Sequence, residues 1–328
     1  MPNDKNRMRR RLAEMARDRP TSTVPDFPYS ILVEVSNLCN HACAFCAYPK
    51  MTRPGKKISL QLLRRLLSEA YELGAREAGF YSGAEPFTSP DLEEIIKVSK
   101  QVGYTYIYTS TNGALATEAR LRACFDNGLD SIKFSINGAD RETYKLIHGQ
   151  DHFDRVVRHL RFASDYRRTA GLDYYIGVSF VVMDNHVASN VATKERLEEV
   201  VGPYADEIAF FNTDSENGQM IGLGAMEIEA PCSLPFKRLH ISAEGYLRMC
   251  CSDYQNYLSL LDLSKTTLKE AWHADIFKEM RQRHLDNKLE GTLCYNCINN
   301  ANKPIQPIVP ALAVKVSENF FEFKKHGT

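Results

Sequence analysis

The chain has 328 residues, an apolar content of 44% that is ordinary for a globular protein, and 41 basic against 41 acidic residues, so its formal net charge is zero. The chain therefore lacks the excess of basic residues that is typical of proteins that bind nucleic acid, and no apolar run approaches the length that spans a bilayer. Residues 1–20 are rich in Arg and Lys and lack the apolar segment of a secretory signal. We therefore expect a cytoplasmic protein without nucleic-acid or membrane partners, whose nine cysteines serve metal binding or catalysis rather than disulfides.

Strand-like and helix-like segments alternate between residues 29 and 213. Segments that are mostly rich in Val, Ile, Tyr and Phe predict six strands, at 29–36, 77–82, 104–110, 131–136, 174–183 and 206–212. Helical patterns lie between them, at 59–73, 91–102, 117–127, 153–166 and 194–200. Ser59 and Thr117 are predicted N-caps, and Gly74, Gly103 and Gly128 stand where helices should stop. The alternation predicts an α/β fold in which a parallel sheet curls into a partial (β/α)6 TIM-like barrel, with the active site at the C-terminal ends of the strands.

A triplet of cysteines follows the first predicted strand. Cys39, Cys43 and Cys46 have the spacing C-x3-C-x2-C, and three thiolates can hold three irons of a cubane cluster while leaving the fourth without a protein ligand. The alternatives are a disulfide with a spare thiol, or a zinc knuckle, although zinc prefers a fourth ligand close by and none lies near Cys46. The spacing resembles the signature of the radical S-adenosylmethionine (SAM) superfamily, and this resemblance implies a 4Fe–4S cluster that binds SAM.

Motifs at later strand ends extend the resemblance. Ser82-Gly-Ala-Glu-Pro86 is similar to the family's Gly-Gly-Glu-Pro motif, which binds the amino group of SAM, with Ala84 in place of the second glycine. By the same resemblance, Ser135 and Asn137 face the ribose or carboxylate of SAM and Asn112 lies near the same pocket, although Asn-Gly pairs also mark ordinary turns. The aromatic residue before the third cysteine matches a position whose backbone borders adenine. The implied SAM contacts are Phe45, Gly83, Ala84, Glu85, Asn112, Ser135 and Asn137.

Four more cysteines follow the predicted barrel: Cys232, Cys250, Cys294 and Cys297. Between them, residues 236–251 alternate around Glu244-Gly245 as in a β-hairpin, and residues 267–286 have a helical pattern. The hairpin, the helix and the C-x2-C pair resemble the SPASM/twitch extension of radical SAM enzymes, and four cysteines suffice for one fully ligated auxiliary 4Fe–4S cluster. A four-cysteine zinc site is the alternative.

These features predict a division of the chain into an N-terminal extension (1–28), a radical SAM barrel (29–225), an auxiliary cluster domain (226–310) and a C-terminal tail (311–328). Two cysteines are left over. Cys124 is most simply a buried apolar residue. Cys251 adjoins Cys250 and is predicted to be an inert neighbour, the alternative cluster ligand, or a thiol that returns hydrogen to a substrate radical.

The resemblance implies reductive cleavage of SAM to a 5′-deoxyadenosyl radical, which abstracts hydrogen from a small polar substrate of the sugar, aminocyclitol or nucleotide-sugar type. We expect the auxiliary cluster to accept an electron, so that the substrate is dehydrogenated, and a flavodoxin- or ferredoxin-type protein to donate electrons. The alternatives are an epimerase with Cys251 as hydrogen donor, a C–C bond-forming or decarboxylating enzyme of natural-product biosynthesis, and a peptide-modifying maturase. A non-catalytic metal-binding scaffold is a more remote alternative, since a scaffold needs no open iron.

Overall fold

A computed structural model describes residues 19–183, 191–212, 230–251 and 253–314. Its nine strands form one sheet in the order β6-β5-β4-β3-β2-β1-β7-β8-β9. The strands are β1 (Ser30–Val33), β2 (Glu77–Gly79), β3 (Tyr106–Thr111), β4 (Ser131–Ser135), β5 (Tyr175–Val182), β6 (Glu207–Asn212), β7 (Arg238–Ile241), β8 (Tyr246–Arg248) and β9 (Ser259–Asp262). The first six are parallel and lie in chain order, which confirms the predicted α/β fold and its six barrel strands.

Helices connect the parallel strands and follow the hairpin. They are α1 (Leu60–Glu72), α2 (Leu92–Val102), α3 (Glu118–Asp126), α4 (Arg141–His148), α5 (Phe153–Thr169), α6 (Val191–Val201), α7 (Leu234–Lys237), α8 (Leu268–Trp272), α9 (Asp275–Leu285) and α10 (Leu293–Asn299). Within the described ranges, none of the helices is long and apolar enough to cross a membrane.

The predicted helix ends are confirmed in detail. The side chain of Ser59 accepts a hydrogen bond from the backbone N–H of Leu62 at 3.4 Å, and that of Thr117 accepts one from the backbone N–H of Arg120 at 3.5 Å. Gly74, Gly103 and Gly128 have φ values of 115°, 115° and 95°. A residue with positive φ ends a helix, and glycine adopts this conformation with little strain because it has no Cβ.

The helices differ from the expectations in two respects. The short helices α4, α7 and α10 were not predicted, because each is shorter than the window over which a helical period can be recognised. The predicted helix over 267–286 is two helices, α8 and α9, since Ala274 between them has extended backbone angles. Trp272 and Phe277 then meet across this break with their ring centroids 5.1 Å apart.

The C-terminal hairpin continues the barrel sheet. Strand β7 pairs in parallel with β1, and β8 and β9 add to it in antiparallel fashion. The turn of the hairpin contains Gly245 at φ 86°, as the alternation around Glu244-Gly245 predicts. Buried side chains from the barrel helices and from α8 and α9 form one continuous apolar core, with the indole of Trp272 fully buried in it. The two cysteine-bearing parts of the chain are therefore held together by a common sheet and core.

A buried ionic network ties the loop after Cys46 to this hairpin. The Arg53 guanidinium pairs with Glu34 at 2.8 Å and with Glu244 at 2.9 Å, and it also donates to the Tyr254 carbonyl at 2.8 Å. Burial by itself would raise the pKa of Glu34, but Arg248 and Arg53 outweigh it and hold that pKa below its ordinary value. The network fixes the cluster loop against β1 and the hairpin.

Candidate active site

A cavity of about 360 Å³ is lined by residues at the C-terminal ends of the barrel strands, the edge where the fold places an active site. Its lining contains every residue that the sequence predicted for the SAM cluster and for SAM. These are Cys39, Cys43, Phe45, Cys46, Gly83, Ala84, Glu85, Asn112, Ser135 and Asn137. Residues from five loops and strands thus meet in one place.

The cysteine loop is held in shape by contacts with its own turn and with α4. The backbone N–H of Cys39 donates to the Tyr48 hydroxyl at 2.7 Å, and that of Ala44 donates to the Ile147 carbonyl at 2.8 Å. Burial raises the pKa of the Cys39 thiol to about 11. Three thiols that face one cavity are the donor set that an iron–sulfur cluster takes, and a bound cation would favour their deprotonated form.

Histidines near the cysteine loop were missed by the sequence reasoning. The imidazole of His148 accepts the Asn137 backbone N–H at its Nε2 (3.0 Å), so its proton lies on Nδ1, 3.5 Å from the Cys43 sulfur and 3.3 Å from His41 Nδ1. A further contact of 3.0 Å links His41 to His152. The ligand atoms of His41, Cys43 and His148 lie within 4.8 Å of one another, close enough to hold a metal ion. No motif signals this cluster, because His148 lies 105 residues after Cys43.

Glu85 is buried, and its carboxylate joins two strand ends. It accepts hydrogen bonds from the Thr111 hydroxyl (2.7 Å) and from the backbone N–H groups of Asn112 (2.7 Å) and Phe87 (3.0 Å). Burial raises the pKa of Glu85 to about 7, and these hydrogen bonds oppose the rise. The three donors leave the carboxylate room for one further partner in the cavity.

Tyr254 explains why the motif begins with glycine. A Cβ added to Gly83 would lie 2.7 Å from Cε1 of Tyr254, so a side chain at this position would displace the ring. The Tyr254 hydroxyl lies 3.5 Å from the Cys46 sulfur. The ring belongs to the segment between β8 and β9, 208 residues beyond Cys46, so the C-terminal part of the chain contributes directly to this cavity.

The remaining predicted SAM contacts line the cavity in different roles. The side chain of Asn112 donates to Asn40 at 2.9 Å and lies 3.9 Å from the Cys39 sulfur. Asn137 accepts the Val181 backbone N–H at 2.7 Å, so it joins the ends of β4 and β5. The hydroxyl of Ser135 lies 3.4 Å from that of Ser179.

The second set of cysteines lines a separate small cavity. Its walls include Cys232, Cys250, Cys294 and Cys297, together with Met249 and His284. Burial raises the pKa of Cys232 to about 11 and that of Cys294 well above its ordinary value. Four converging thiols, and an imidazole without a hydrogen-bond partner in the described residues, suit a metal cluster better than an empty apolar pocket.

Cys251 lies outside this second cavity, which distinguishes it from Cys250. Its side chain packs beside Tyr81 against an apolar cluster of Leu32, Tyr106 and Tyr108 in the sheet. A hydrogen bond with Cys250, together with the nearby His240 and Arg238, holds the pKa of Cys251 well below its ordinary value despite burial.

The peptide that joins Cys250 to Cys251 connects the two cavities. Cys250 lines the second cavity, while the carbonyl oxygen of Cys251 accepts a hydrogen bond from Ser82, a lining residue of the first cavity, at 2.6 Å. Arg248 donates to the same Ser82 hydroxyl at 2.7 Å. A covalent and hydrogen-bonded path through Cys250, Cys251 and Ser82 therefore links the two cavities.

Comparison with known proteins agrees with this arrangement. The family model described as the radical SAM superfamily matches residues 33–189, and the model of an iron–sulfur cluster-binding domain (SPASM) matches residues 232–298. The PqqA peptide cyclase of Bradyrhizobium diazoefficiens is 32% identical over 128 residues, which cover 38% of this chain and 33% of that protein. A probable GTP 3′,8-cyclase of Saccharolobus islandicus is 31% identical over 133 residues, 40% of this chain and 42% of that protein. The matches thus span a third to two fifths of these curated relatives.

Solved structures show the same fold at low sequence identity. Streptococcus suis SuiB bound to the precursor peptide SuiA has a TM-score of 0.65 at 13% identity, over 84% of this chain and 70% of that one. BtrN in complex with AdoMet and 2-DOIA has a TM-score of 0.55 at 15% identity, and the match covers 83% of this chain and 92% of that one. Native anSMEcpe with bound AdoMet has a TM-score of 0.59 at 15% identity, and the match covers 90% of this chain and 96% of that one. The chain belongs to the radical SAM superfamily and carries a SPASM-type iron–sulfur domain, so its cofactors are 4Fe–4S clusters and SAM.

Proposed function

We propose that this protein is a radical SAM dehydrogenase that acts on a small polar substrate in the 360 Å³ cavity. The observation that carries the proposal is that Cys39, Cys43 and Cys46 line one cavity with all seven residues predicted to contact SAM. When bound there, the cluster and SAM supply a 5′-deoxyadenosyl radical that abstracts hydrogen from an unactivated carbon.

The protein side chains orient the cofactor and keep the site dry in this proposal. Cys39, Cys43 and Cys46 hold the cluster, and Glu85 uses its remaining acceptor site for the amino group of SAM. Gly83 and Ala84 bring the backbone close to the cofactor, because Tyr254 occupies the space that a larger residue at position 83 would need. The backbone at Phe45 borders the adenine.

At the opposite wall, Ser135 offers a hydroxyl to the ribose or carboxylate of SAM. Asn112 lies next to Cys39, and its amide contacts the cluster loop. Asn137 acts mainly by holding the ends of β4 and β5 together, since its carbonyl oxygen is occupied by Val181. These side chains therefore form a rim of fixed geometry around the proposed SAM site.

The second cavity supports dehydrogenation over other outcomes. We assign Cys232, Cys250, Cys294 and Cys297 to an auxiliary 4Fe–4S cluster, whose irons are then all bound by cysteine and are not available to the substrate. Such a cluster would supply an acceptor for the electron that the substrate radical loses. The short link through Cys250 and Cys251 to Ser82 supports this use.

The external partners in this proposal are the small-molecule substrate and a flavodoxin- or ferredoxin-type electron donor. We also place the protein in the cytoplasm. None of the nine cysteines, all of which fall in the described ranges, forms a disulfide, and a reducing compartment keeps thiols available for clusters.

The direct test is SAM cleavage by the anaerobically reconstituted protein. With dithionite as reductant, we expect equal amounts of methionine and 5′-deoxyadenosine, and none from a variant in which Cys39, Cys43 and Cys46 are all Ala. A Cys124→Ala variant is the matched control, because that buried cysteine lies outside both cavities. A wild-type protein that holds its clusters and SAM but forms no deoxyadenosine would contradict the proposal.

A peptide-modifying enzyme is the second candidate. It is favoured by the similarity to the PqqA peptide cyclase and by the fold shared with SuiB, which was solved with its precursor peptide. Incubation with peptides encoded beside the gene separates the two. A mass change in a peptide that depends on SAM and on Cys39 would favour this candidate over a small-molecule dehydrogenase.

A further inference from the structure

Lys133 lies on the inner wall of the first cavity. In the sheet register it stands beside Ser110 of β3 and Gly177 of β5. It comes two residues before Ser135, and side chains two residues apart on a strand point to the same face. Both residues line the cavity, and Lys133 lies deeper than Ser135 because it is further from the C-terminal end of β4.

Within the part of the chain that the structure describes, the ammonium group of Lys133 has no counterion. Among the described residues that line the cavity it is the one lysine or arginine, and no described carboxylate pairs with it. The ring centroid of Phe211 lies 5.7 Å from Nζ. Glu85, the one carboxylate of the described lining, already binds three donors. A cation that is withdrawn from water without a partner is costly, so the cavity favours an anion.

Hydroxyl donors lie near Lys133 in the same cavity. Its partner Gly177 in β5 has no side chain, and a Cβ there would lie 3.7 Å from Lys133 Cγ and 3.2 Å from the ring of Tyr175, so the lysine stem and that ring already fill this point. Above it, the hydroxyls of Ser135 and Ser179 face the same cavity and can donate to anion oxygens.

We propose that Lys133 binds an anionic group of the substrate, a carboxylate or a phosphate, beneath the SAM site. Lysine is a point charge with three donors and recognises either group without a fixed orientation. The inference rests on the proposed function and narrows it: of the expected substrates, phosphorylated or carboxylated ones such as nucleotide sugars fit, and aminocyclitols without an anionic group do not.

Selenate is a suitable probe because it is a tetrahedral oxyanion with an anomalous X-ray signal. Crystals of the holoenzyme with SAM are soaked in selenate, and we expect a selenium peak within hydrogen-bonding distance of Lys133 Nζ. Phosphate and acetate are then compared as competitors, to tell a phosphate site from a carboxylate site. In Lys133→Met the peak should be lost, whereas Lys133→Arg and the surface control Lys278→Met should keep it.

The iron content and SAM affinity of Lys133→Met are measured alongside, and we expect a change in affinity of no more than about twofold. Absence of the peak in the wild type would overturn the inference and leave SAM cleavage, and hence the proposed function, intact. An equal peak in Lys133→Met would mean an adventitious ion only. A tenfold or larger loss of SAM affinity would show that Lys133 serves SAM instead of the substrate.

A second, independent inference concerns His284 in the last turn of α9. Its side chain is only 1% exposed, and neither ring nitrogen has a hydrogen-bond partner in the described parts of the chain. The ring lines the cavity formed by Cys232, Cys250, Cys294 and Cys297. An imidazole carries at least one N–H, and a buried N–H is rarely left without an acceptor.

We infer that His284 donates a hydrogen bond to a sulfur of the auxiliary cluster or of its cysteines, and so acts as a positioning residue that sets the cluster's potential. A hydrogen bond to sulfur stabilises the reduced form, which carries more negative charge, and raises the reduction potential. This inference rests on the proposed assignment of the four cysteines and is independent of the substrate.

Redox titration followed by electron paramagnetic resonance tests this role. In His284→Phe we expect the equilibrium constant for one-electron reduction of the auxiliary cluster to fall about tenfold, which equals 59 mV. His284→Gln, which keeps an N–H donor, should stay close to the wild type, and the potential of the SAM cluster should not change in either variant.

Two outcomes would overturn the inference about His284. One is an unchanged potential in His284→Phe at full iron content. The other is loss of the auxiliary cluster's iron in both variants, which would make His284 a ligand and not a hydrogen-bond donor. Wild-type protein with only one cluster would refute the cysteine assignment itself, and this inference with it.

Discussion

At the level of single residues, the buried carboxylate of Glu85 joins two strand ends and faces the proposed SAM site. The burial that raises its pKa to about 7 also places it among three donors that stabilise the charged form. Because the folded pKa lies above the ordinary glutamate value, ionisation of Glu85 reduces the stability of the empty protein as the pH rises through 7. In the proposed function, the amino group of SAM supplies the missing partner.

Glu85→Ala should therefore weaken SAM binding without changing the iron content. A hydrogen bond to a charged group is worth about 1.5–3 kcal/mol, which corresponds to a loss of roughly 10- to 150-fold in affinity. Equilibrium dialysis of SAM against the reconstituted protein measures this, with the exposed Glu72→Ala as control. The wild-type affinity should fall as the pH drops below about 7, and this dependence should vanish in Glu85→Gln. A folded Glu85→Ala variant with unaltered affinity would exclude the role.

How far single residues could be predicted depends on the distance along the chain that separates them. The cysteine triplet and residues 83–85 were found because each group lies within a short stretch of sequence that follows a strand. Tyr254 and His148 meet the same cavity from far along the chain, and no local pattern announces either. Lys133 and His284 were missed because a lysine on a strand and a histidine on a helix are unremarkable until packing places them on a cavity wall.

At the level of elements, the buried Arg53 network joins the cluster loop to the hairpin. Arg53 and Glu34 have side chains that are each 1% exposed. Removal of one partner from such a pair leaves a charge buried without compensation, whereas an exposed pair contributes little.

Arg53→Met should lower the free energy of unfolding by about 3–5 kcal/mol. The control Arg168→Met breaks the exposed pair with Asp165 and should cost about 0–1 kcal/mol. Urea unfolding of the cluster-free proteins, followed by circular dichroism, gives both values. Because the pKa of Glu34 is lowered in the fold, the stability that this pair contributes is present above the ordinary glutamate pKa of about 4.3 and is lost as the pH falls through the folded value. Equal effects of the two variants would mean that the buried network does not hold the loop.

The elements themselves were largely predictable, because strong helix caps and strand runs agree with the fold. Helix α4 was not predicted because it is short, and the prediction of a single helix over 267–286 was wrong because the backbone is extended at Ala274. The pairing of β7 with β1 could not be foreseen, since its partners Ile31 and Leu239 lie 208 positions apart along the chain and only packing selects that register.

At the level of the whole molecule, one sheet carries two cysteine sites that are linked through Cys250 and Cys251. This arrangement separates oxidation from epimerisation. In a dehydrogenase the substrate first gives a hydrogen atom to the 5′-deoxyadenosyl radical, and the substrate radical then loses an electron and a proton, so no solvent hydrogen enters the carbon. In an epimerase a thiol returns a hydrogen atom that has exchanged with water. Cys251 lies outside the second cavity and among the tyrosines of the sheet, so it is the thiol to test.

Turnover in deuterated water should give a product without deuterium at the reacting carbon, as judged by mass spectrometry. Cys251→Ala should then still form product, because the electron passes to the auxiliary cluster and not through an S–H bond. One deuterium per product, lost together with activity in Cys251→Ala, would make the protein an epimerase.

The central claim is that this chain builds two cubane clusters, one in each cavity. Iron and sulfide analysis of the anaerobically reconstituted protein tests it most directly. We predict roughly eight irons and eight sulfides per chain in the wild type. A Cys39/Cys43/Cys46 triple Ala variant and a Cys232/Cys250/Cys294/Cys297 quadruple Ala variant should each hold about half of these amounts. Wild-type protein that saturates near four irons and binds zinc in addition would contradict the claim for the second cavity.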